Sequence, residues 1–280
     1  MSRVAVIGAG PAGMAATIQL VRAGIEVQVF EQGRVGGALW NAGWVENYPG
    51  FPGGISGHNL AKLMEEQFLG YVDNIISSSA EEIILTEKGF FISGQEFDGV
   101  IICTGTRPKK VGFTCEDKLA EAGLLCYGVA DYHAWHRVKE ACVIGGGEAS
   151  MDMALSLTEE GIKVTLLHRS EPDGILALKQ EAISDEEITW LEGEVKEARI
   201  HENKAVLALE NEERAFDMVL VAVGREACMP EFNGFDMDDA PAGLLVAGDA
   251  TRGGLGQVAM AVGDGVDMAM TMDRYLRSKK

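Results

Sequence analysis

The first apolar run of the chain, Val4-Ala5-Val6-Ile7, shows no alternation, which predicts a strand buried on both faces of a parallel sheet. Gly8-Ala9-Gly10-Pro11-Ala12-Gly13 follows at once, and residues 14–23 have helical spacing up to Gly24, a helix stop. Residues 26–30 predict a second strand that ends at Glu31. The same order recurs later in the chain. Residues 140–144 predict a strand, Gly145-Gly146-Gly147-Glu148-Ala149-Ser150 a turn, and the stretch to Glu159 a helix closed by Gly161. Residues 163–167 predict the next strand, ending in His168-Arg169. Further apolar strands over 98–103 and 217–222 run into Thr104-Gly105 and Val223-Gly224. A last one over 243–247 runs into Gly248-Asp249, and a glycine-rich turn then opens a helix near Gln257. Residues 170–215 are poorly patterned and read as a short β-rich excursion.

Two repeats of strand, glycine turn, helix and strand place the chain in the α/β class. The expected fold is two Rossmann-like dinucleotide-binding domains of the three-layer ββα type. With the second inserted in the first, the first domain takes residues 1–106 and 229–280 and the second takes 107–228.

Composition narrows the function. A length of 280 residues suits two cores, and 47% hydrophobic residues are ample to fill them. A formal charge of −19 disfavours nucleic acid as a partner, because phosphates need a basic surface. No stretch approaches the roughly 20 apolar residues of a membrane span, and the chain opens directly on a strand with no leader pattern. The five cysteines, at 103, 115, 126, 142 and 228, are scattered and contain no Cys-x-x-Cys. That pattern argues against a disulfide framework and a zinc site and favours a reducing cytoplasm. His133 and His136, with Cys126, invite a metal reading, but their spacing fits a polar helix face better, and no metal is expected.

The first turn has the chemistry of a dinucleotide seat. Gly8 makes the tight turn, Gly10 lets the backbone approach a pyrophosphate, and Gly13 lets the helix pack close to the strand. The pyrophosphate meets free N–H groups at the helix N-terminus, and Glu31, eighteen residues after Gly13, is placed to accept from a ribose diol. In the second turn Ser150 stands in the third glycine's place, and Arg169 stands where an NAD site carries an acid. Arginine clamps a 2′-phosphate and a carboxylate repels it, so NADP is favoured over NAD. Solvation of Arg169, or its stacking on adenine, is the plainer alternative.

These residues together resemble the low-molecular-weight bacterial thioredoxin reductases. Val45-Glu46-Asn47-Tyr48-Pro49-Gly50-Phe51-Pro52-Gly53-Gly54-Ile55-Ser56-Gly57 is similar to the segment that follows their first nucleotide fold. Gly36-Gly37-Ala38-Leu39, Cys103-Thr104-Gly105, Gly248-Asp249, the turn at 145–150 and His168-Arg169-Ser170 each resemble a family motif, in the family's order. The resemblance implies FAD held by Gly8, Gly10, Pro11, Ala12, Gly13, Glu31, Gly36, Gly37, Leu39, Asn47, Thr104, Gly105, Gly248, Asp249, Gln257 and Val258. In it Asn47 lies near the flavin ring, Asp249 bonds the ribityl chain, and Gln257 with Val258 opens a helix aimed at the N1/C2 carbonyl edge. It assigns NAD(P) to Gly145, Gly147, Glu148, Ala149, Ser150, His168, Arg169 and Gly224. A homodimer, and two domains that rotate about their connections, are further implications.

The likeness breaks at one point. Where the family carries its Cys-x-x-Cys, this chain reads Cys126-Tyr127-Gly128-Val129, and valine has no thiol. An internal dithiol shuttle is therefore not available from this motif. Cys126 is the one catalytic candidate, against the alternative that it is a small buried hydrophobe. The expected activity is an FAD-dependent NAD(P)H oxidoreductase whose electrons leave the flavin for an unidentified acceptor. Two alternatives stand beside it: a disulfide reductase using Cys126 alone, and a flavin-binding redox subunit or sensor with little or no NAD(P)H activity.

Overall fold

The computed structural model of the chain describes residues 2–131, 133–253 and 256–279. They form two compact units. One contains residues up to Trp40, Trp44–Arg107 and the chain from Glu226 onward; the other contains Asn41–Gly43 and Pro108–Arg225.

The first unit is built on a five-stranded sheet. Its order is Leu244–Val246, Gly99–Ile102, Arg3–Ile7, Glu26–Phe30 and Ile75–Ile76, and every neighbouring pair is parallel. Alternate residues of Arg3–Ile7 serve opposite faces, as the two-residue period of a strand requires. Val4 and Val6 join Ala12, Ala16, Leu20, Ala269 and Met272 in a core shared with the helices. Ala5 and Ile7 join Phe30, Phe90, Ile92 and Phe97 in a core beneath a second sheet, Glu231–Asn233, Glu82–Thr86, Gly89–Ile92 and Gln95–Phe97. The uninterrupted apolar run seen in the sequence is thus explained: helices cover one face and β-strands the other.

Gly265, in the terminal helix Val258–Ser278, lies against the Ala12 carbonyl of the first helix, Pro11–Arg22. A side chain there would collide with that backbone, so glycine is what lets the two helices approach.

The second unit repeats the plan. Leu125–Cys126, Met218–Val221, Glu140–Ile144, Lys163–His168 and Ile188–Glu192 lie side by side in one parallel sheet. Ala141 and Val143 face a core with Met151, Ala154 and Leu157 of the helix Glu148–Glu159. Cys142 and Ile144 face the antiparallel layer Glu197–His201, Lys204–Ala208 and Glu213–Phe216. Both units are therefore three-layer ββα folds.

Several details differ from the sequence reading. The first helix begins at Pro11, not Met14: proline occupies its opening turn, where a missing N–H costs nothing. Residues 170–215 hold more than a β-rich excursion. They include the helix Leu176–Ser184 and the fifth parallel strand, Ile188–Glu192. That helix leaves Leu176 and Ile183 in solvent and buries only Ala182 in full, so its apolar positions do not trace one face. Of the glycine-rich turn expected ahead of Gln257, Gly254 and Leu255 lie outside the described residues.

Glu116 is the one buried carboxylate of the second unit among the described residues. Its oxygens accept from Val111 N at 3.0 Å, Gly112 N at 2.6 Å and the Tyr127 hydroxyl at 3.0 Å. One side chain thereby organises the loop before its own short helix. Glu116→Ala is expected to cost about 1–3 kcal/mol, read as a lower urea midpoint with an unchanged slope.

Candidate functional site

The two glycine turns separate what folding demands from what a ligand demands. In the first, a Cβ at Gly8 would strike the Cys103 carbonyl, and one at Gly13 would strike the Gly8 carbonyl. Those two glycines are required by the protein's own packing. Gly10 is not: its backbone is extended (φ −73°, ψ −176°), and a Cβ there would meet no atom within 4 Å. The space above Gly10 lies at the mouth of the first helix, whose cap makes no side-chain hydrogen bond. Unpaired N–H groups and the helix dipole therefore face an opening that suits an anion.

The second turn shows the same division. A Cβ at Gly145 would lie 2.5 Å from the Ala222 carbonyl oxygen, while one at Gly147 would meet nothing within 4 Å. Gly147, Glu148 and Ala149 are exposed at the start of the helix Glu148–Glu159. Ser150 is buried, and its hydroxyl donates to the Gly147 carbonyl at 2.6 Å, so it braces the turn from below. His168 Nδ1 lies 3.1 Å from the Ser170 carbonyl, and its ring meets Trp190 edge to face. Arg169 is exposed. Gly224 (φ +109°) closes the end of the strand Met218–Val221, and its carbonyl accepts from Lys109 N at 3.0 Å.

Glu31 does more than its spacing indicated. One carboxylate oxygen accepts from Ala9 N at 2.7 Å, and the other accepts from Gly33 N at 2.7 Å. The acid thus ties the end of the second strand to the glycine turn. Gly36 (φ +101°) and Gly37 (φ +54°) bring the next loop to the same place: Gly36 N donates to the Ala9 carbonyl at 2.8 Å. Gly37 passes so near Gly10 that a Cβ would stand 3.3 Å from its Cα. Leu39 is buried beneath that loop.

The remaining expected FAD residues fall in the same unit, on segments far apart in sequence. Thr104 donates its hydroxyl to the Cys228 carbonyl, and Cys228 N donates to the Gly105 carbonyl at 3.0 Å. Gly248 (φ +74°) packs against Ala12, and the Asp249 carboxylate lies over Gly256, where a side chain would collide with it. Asn47 Nδ2 donates to Gln257 Oε1 at 2.8 Å across 210 residues of sequence. Gln257 caps the terminal helix without a side-chain bond to it, and Val258 is the first helical residue.

Sequence reasoning missed the ion pair behind that loop. Arg252 grips Asp264 through both carboxylate oxygens at 2.7 Å, fastening the segment after Asp249 to the terminal helix. No local pattern announces such a pair. Gly33 was also missed, although a glycine two residues after a strand-end acid is a recognisable turn.

The cysteines are all free. Burial pushes the thiols of Cys103 and Cys142 up to about 12. Cys126 is likewise pushed up to about 12, first by burial and then by the Asp131 carboxylate. It sits on the short edge strand Leu125–Cys126, in the core with Val138 and Met151, and Val129 follows in a 3-10 turn. Among the described residues no group of three His, Cys, Asp or Glu could hold a metal ion, and no helix is long and apolar enough to cross a membrane.

Residues 2–265 match the family model for pyridine nucleotide-disulphide oxidoreductase. The chain belongs to that family. Curated relatives include thioredoxin reductases of Streptomyces clavuligerus and Bacillus subtilis, each 30% identical and each aligned over 98% of this chain. The alignments cover 93% and 94% of those proteins. Among solved structures, the T. acidophilum thioredoxin reductase is similar over the whole of both chains, with a TM-score of 0.84 and 26% identity. The protein is a flavin-dependent oxidoreductase, and thioredoxin reductases such as these relatives use FAD and NADPH. The bare cradles at Gly10 and Gly147 fit those two dinucleotides, since each glycine is demanded neither by its backbone nor by its neighbours.

Proposed function

We propose that this oxidoreductase passes electrons from a nicotinamide nucleotide through FAD to an acceptor without an internal dithiol. The observation that carries the reading is the state of Cys126, a buried thiol held at about 12 with valine where a partner cysteine would stand. Below pH 10 such a sulfur is almost wholly protonated and enclosed, which suits neither attack on a disulfide nor exchange.

In this reading the Gly8–Gly13 turn and Glu31 hold the adenosine and pyrophosphate of FAD. Asn47, Asp249, Gln257 and Val258 hold its flavin half, and Thr104 and Gly105 line its nucleotide side. Gly145, Gly147, Glu148, Ala149, Ser150, His168, Arg169 and Gly224 form the nicotinamide nucleotide's seat, with Arg169 favouring NADPH through its 2′-phosphate. When bound, FAD supplies the hydride-accepting and electron-releasing chemistry, and the protein supplies position and electrostatics. The N-terminus of the terminal helix, left open by Gln257, favours the negative charge that reduction brings to the flavin's carbonyl edge. The reading includes a homodimer and a cytoplasmic setting, both carried over from the family resemblance.

A second reading, a flavin-binding redox subunit whose second fold has lost nucleotide binding, draws on Ser170, which stands where the family resemblance would carry a second arginine.

Turnover tests both. NADPH-driven reduction of a one-electron dye is expected in the wild-type protein and undiminished in Cys126→Ser. NADPH-driven reduction of a small aromatic disulfide that the wild-type protein catalyses and Cys126→Ser loses, with the flavin still bound, would restore a thiol mechanism. Slow dye reduction in both proteins would favour the second reading.

A further inference from the structure

Gly253, Gly254 and Gly256 make the segment after Asp249 rich in glycine, so holding it in one conformation costs more entropy than usual. Its start is nevertheless fixed. Gly248 packs against Ala12, where a Cβ would stand 2.8 Å from the alanine's own, and the Asp249 carboxylate lies over Gly256. The Asp249 carbonyl accepts from Arg252 N at 3.0 Å, and Thr251 Oγ1 donates to the Gly248 carbonyl at 2.9 Å. The Arg252 side chain then leaves the loop. Its Nη2 lies 2.7 Å from both oxygens of Asp264, and its Nε lies 3.2 Å from Oδ2. The two side chains are 33% and 25% exposed, so solvent screens the pair only in part. Asp264 precedes Gly265, the point at which the terminal helix is pressed against the Ala12 carbonyl. Arg252 thus ties the loop to an anchored turn of that helix.

We propose that Arg252 and Asp264 are positioning residues for FAD: their ion pair holds the glycine-rich loop so that Asp249 keeps its carboxylate where the ribityl chain binds. The inference rests on the proposed reading that Asp249 bonds that chain. Neither member of the pair is among the residues proposed to touch the cofactor. Arg252 acts on Asp249 through the backbone, by the bond from its own N–H. With the pair broken, the loop regains freedom in the cofactor-free protein, and FAD has to order it on binding. That cost falls on the flavin half of the cofactor. The adenosine half, seated on the Gly8–Gly13 turn and Glu31, does not bear it.

The test compares FAD with ADP, which carries only the adenosine and its two phosphates, by calorimetric titration of the apoprotein. Arg252→Ala and Asp264→Ala are each expected to weaken FAD binding about tenfold and to change ADP binding by less than about twofold. In an Asp249→Ala background either change is expected to weaken FAD by less than about twofold further, because the residue through which the pair acts is gone. The two substitutions alter the local charge in opposite directions. A purely electrostatic effect on an anionic cofactor would therefore strengthen FAD binding in Asp264→Ala and weaken it in Arg252→Ala. That opposite movement overturns the proposal, as does an equal loss for FAD and ADP, or no loss for either. Failure of the wild-type protein to bind FAD at all would instead strike the functional reading beneath it.

Discussion

Gly10→Val is expected to yield a folded protein without its flavin, whereas Gly13→Val is expected not to fold. The two glycines lie three residues apart in one turn, yet they answer to different demands. At Gly13 the new side chain would occupy the position of the Gly8 carbonyl, at the contact between the first strand and first helix. Overpacking of that kind typically costs about 1–3 kcal/mol, and more where the obstacle is backbone that cannot turn aside. At Gly10 the backbone is one that valine adopts readily, and nothing lies within 4 Å of its Cβ. The folded state should lose about 1 kcal/mol or less, chiefly because valine is a poor helix cap. The pyrophosphate, however, loses its approach to the helix N-terminus. Purified variants are compared by chemical denaturation without cofactor and by flavin absorbance after dialysis against FAD. A yellow Gly10→Val protein with normal affinity would show that the opening above Gly10 is not the seat.

The second large effect is expected at Glu31. Glu31→Ala removes a carboxylate that accepts from two backbone N–H groups, at Ala9 and Gly33, and that is proposed to accept from the ribose. Hydrogen bonds to a charged group contribute about 1.5–3 kcal/mol each. Losing the ribose contacts alone should therefore weaken FAD binding by about 100-fold or more. The released turn adds a stability loss in the cofactor-free protein, which the Gly10 variant does not share. Fluorescence titration of the apoprotein with FAD gives the affinity, and urea unfolding gives the stability. Unchanged affinity would mean that Glu31 serves only the turn.

Much of this was legible in the sequence because the chemistry is local. A strand buried on both faces leaves an unbroken apolar run, a tight turn leaves glycines at fixed offsets, and the acid that closes the unit follows at a fixed distance. Arg3–Ile7, the Gly8–Gly13 turn and Glu31 satisfy all three within thirty-one residues. The helix Leu176–Ser184 was not legible, since Leu176 and Ile183 face water and break the expected periodicity. The antiparallel layer over Gly89–Ile92 and Gln95–Phe97 was likewise unread, its strands being short and separated by a tight turn. Contacts between distant segments escaped altogether. Asn47 with Gln257 and Arg252 with Asp264 are tertiary pairs, and no spacing rule connects their members. The division between Gly8 and Gly10 is likewise set in three dimensions: both are glycines of one motif, and only the surrounding atoms show which of them the fold requires.

The most direct test of the account is an anaerobic titration of the purified flavoprotein with NADPH, repeated with NADH, while the flavin absorbance band is followed. A flavin that receives electrons without an internal dithiol should bleach fully at about one equivalent of nucleotide per FAD, as a single two-electron centre requires. Consumption of a second equivalent would reveal a dithiol within the protein. A band untouched by either nucleotide, yet bleached by dithionite, would contradict electron transfer from nicotinamide to flavin.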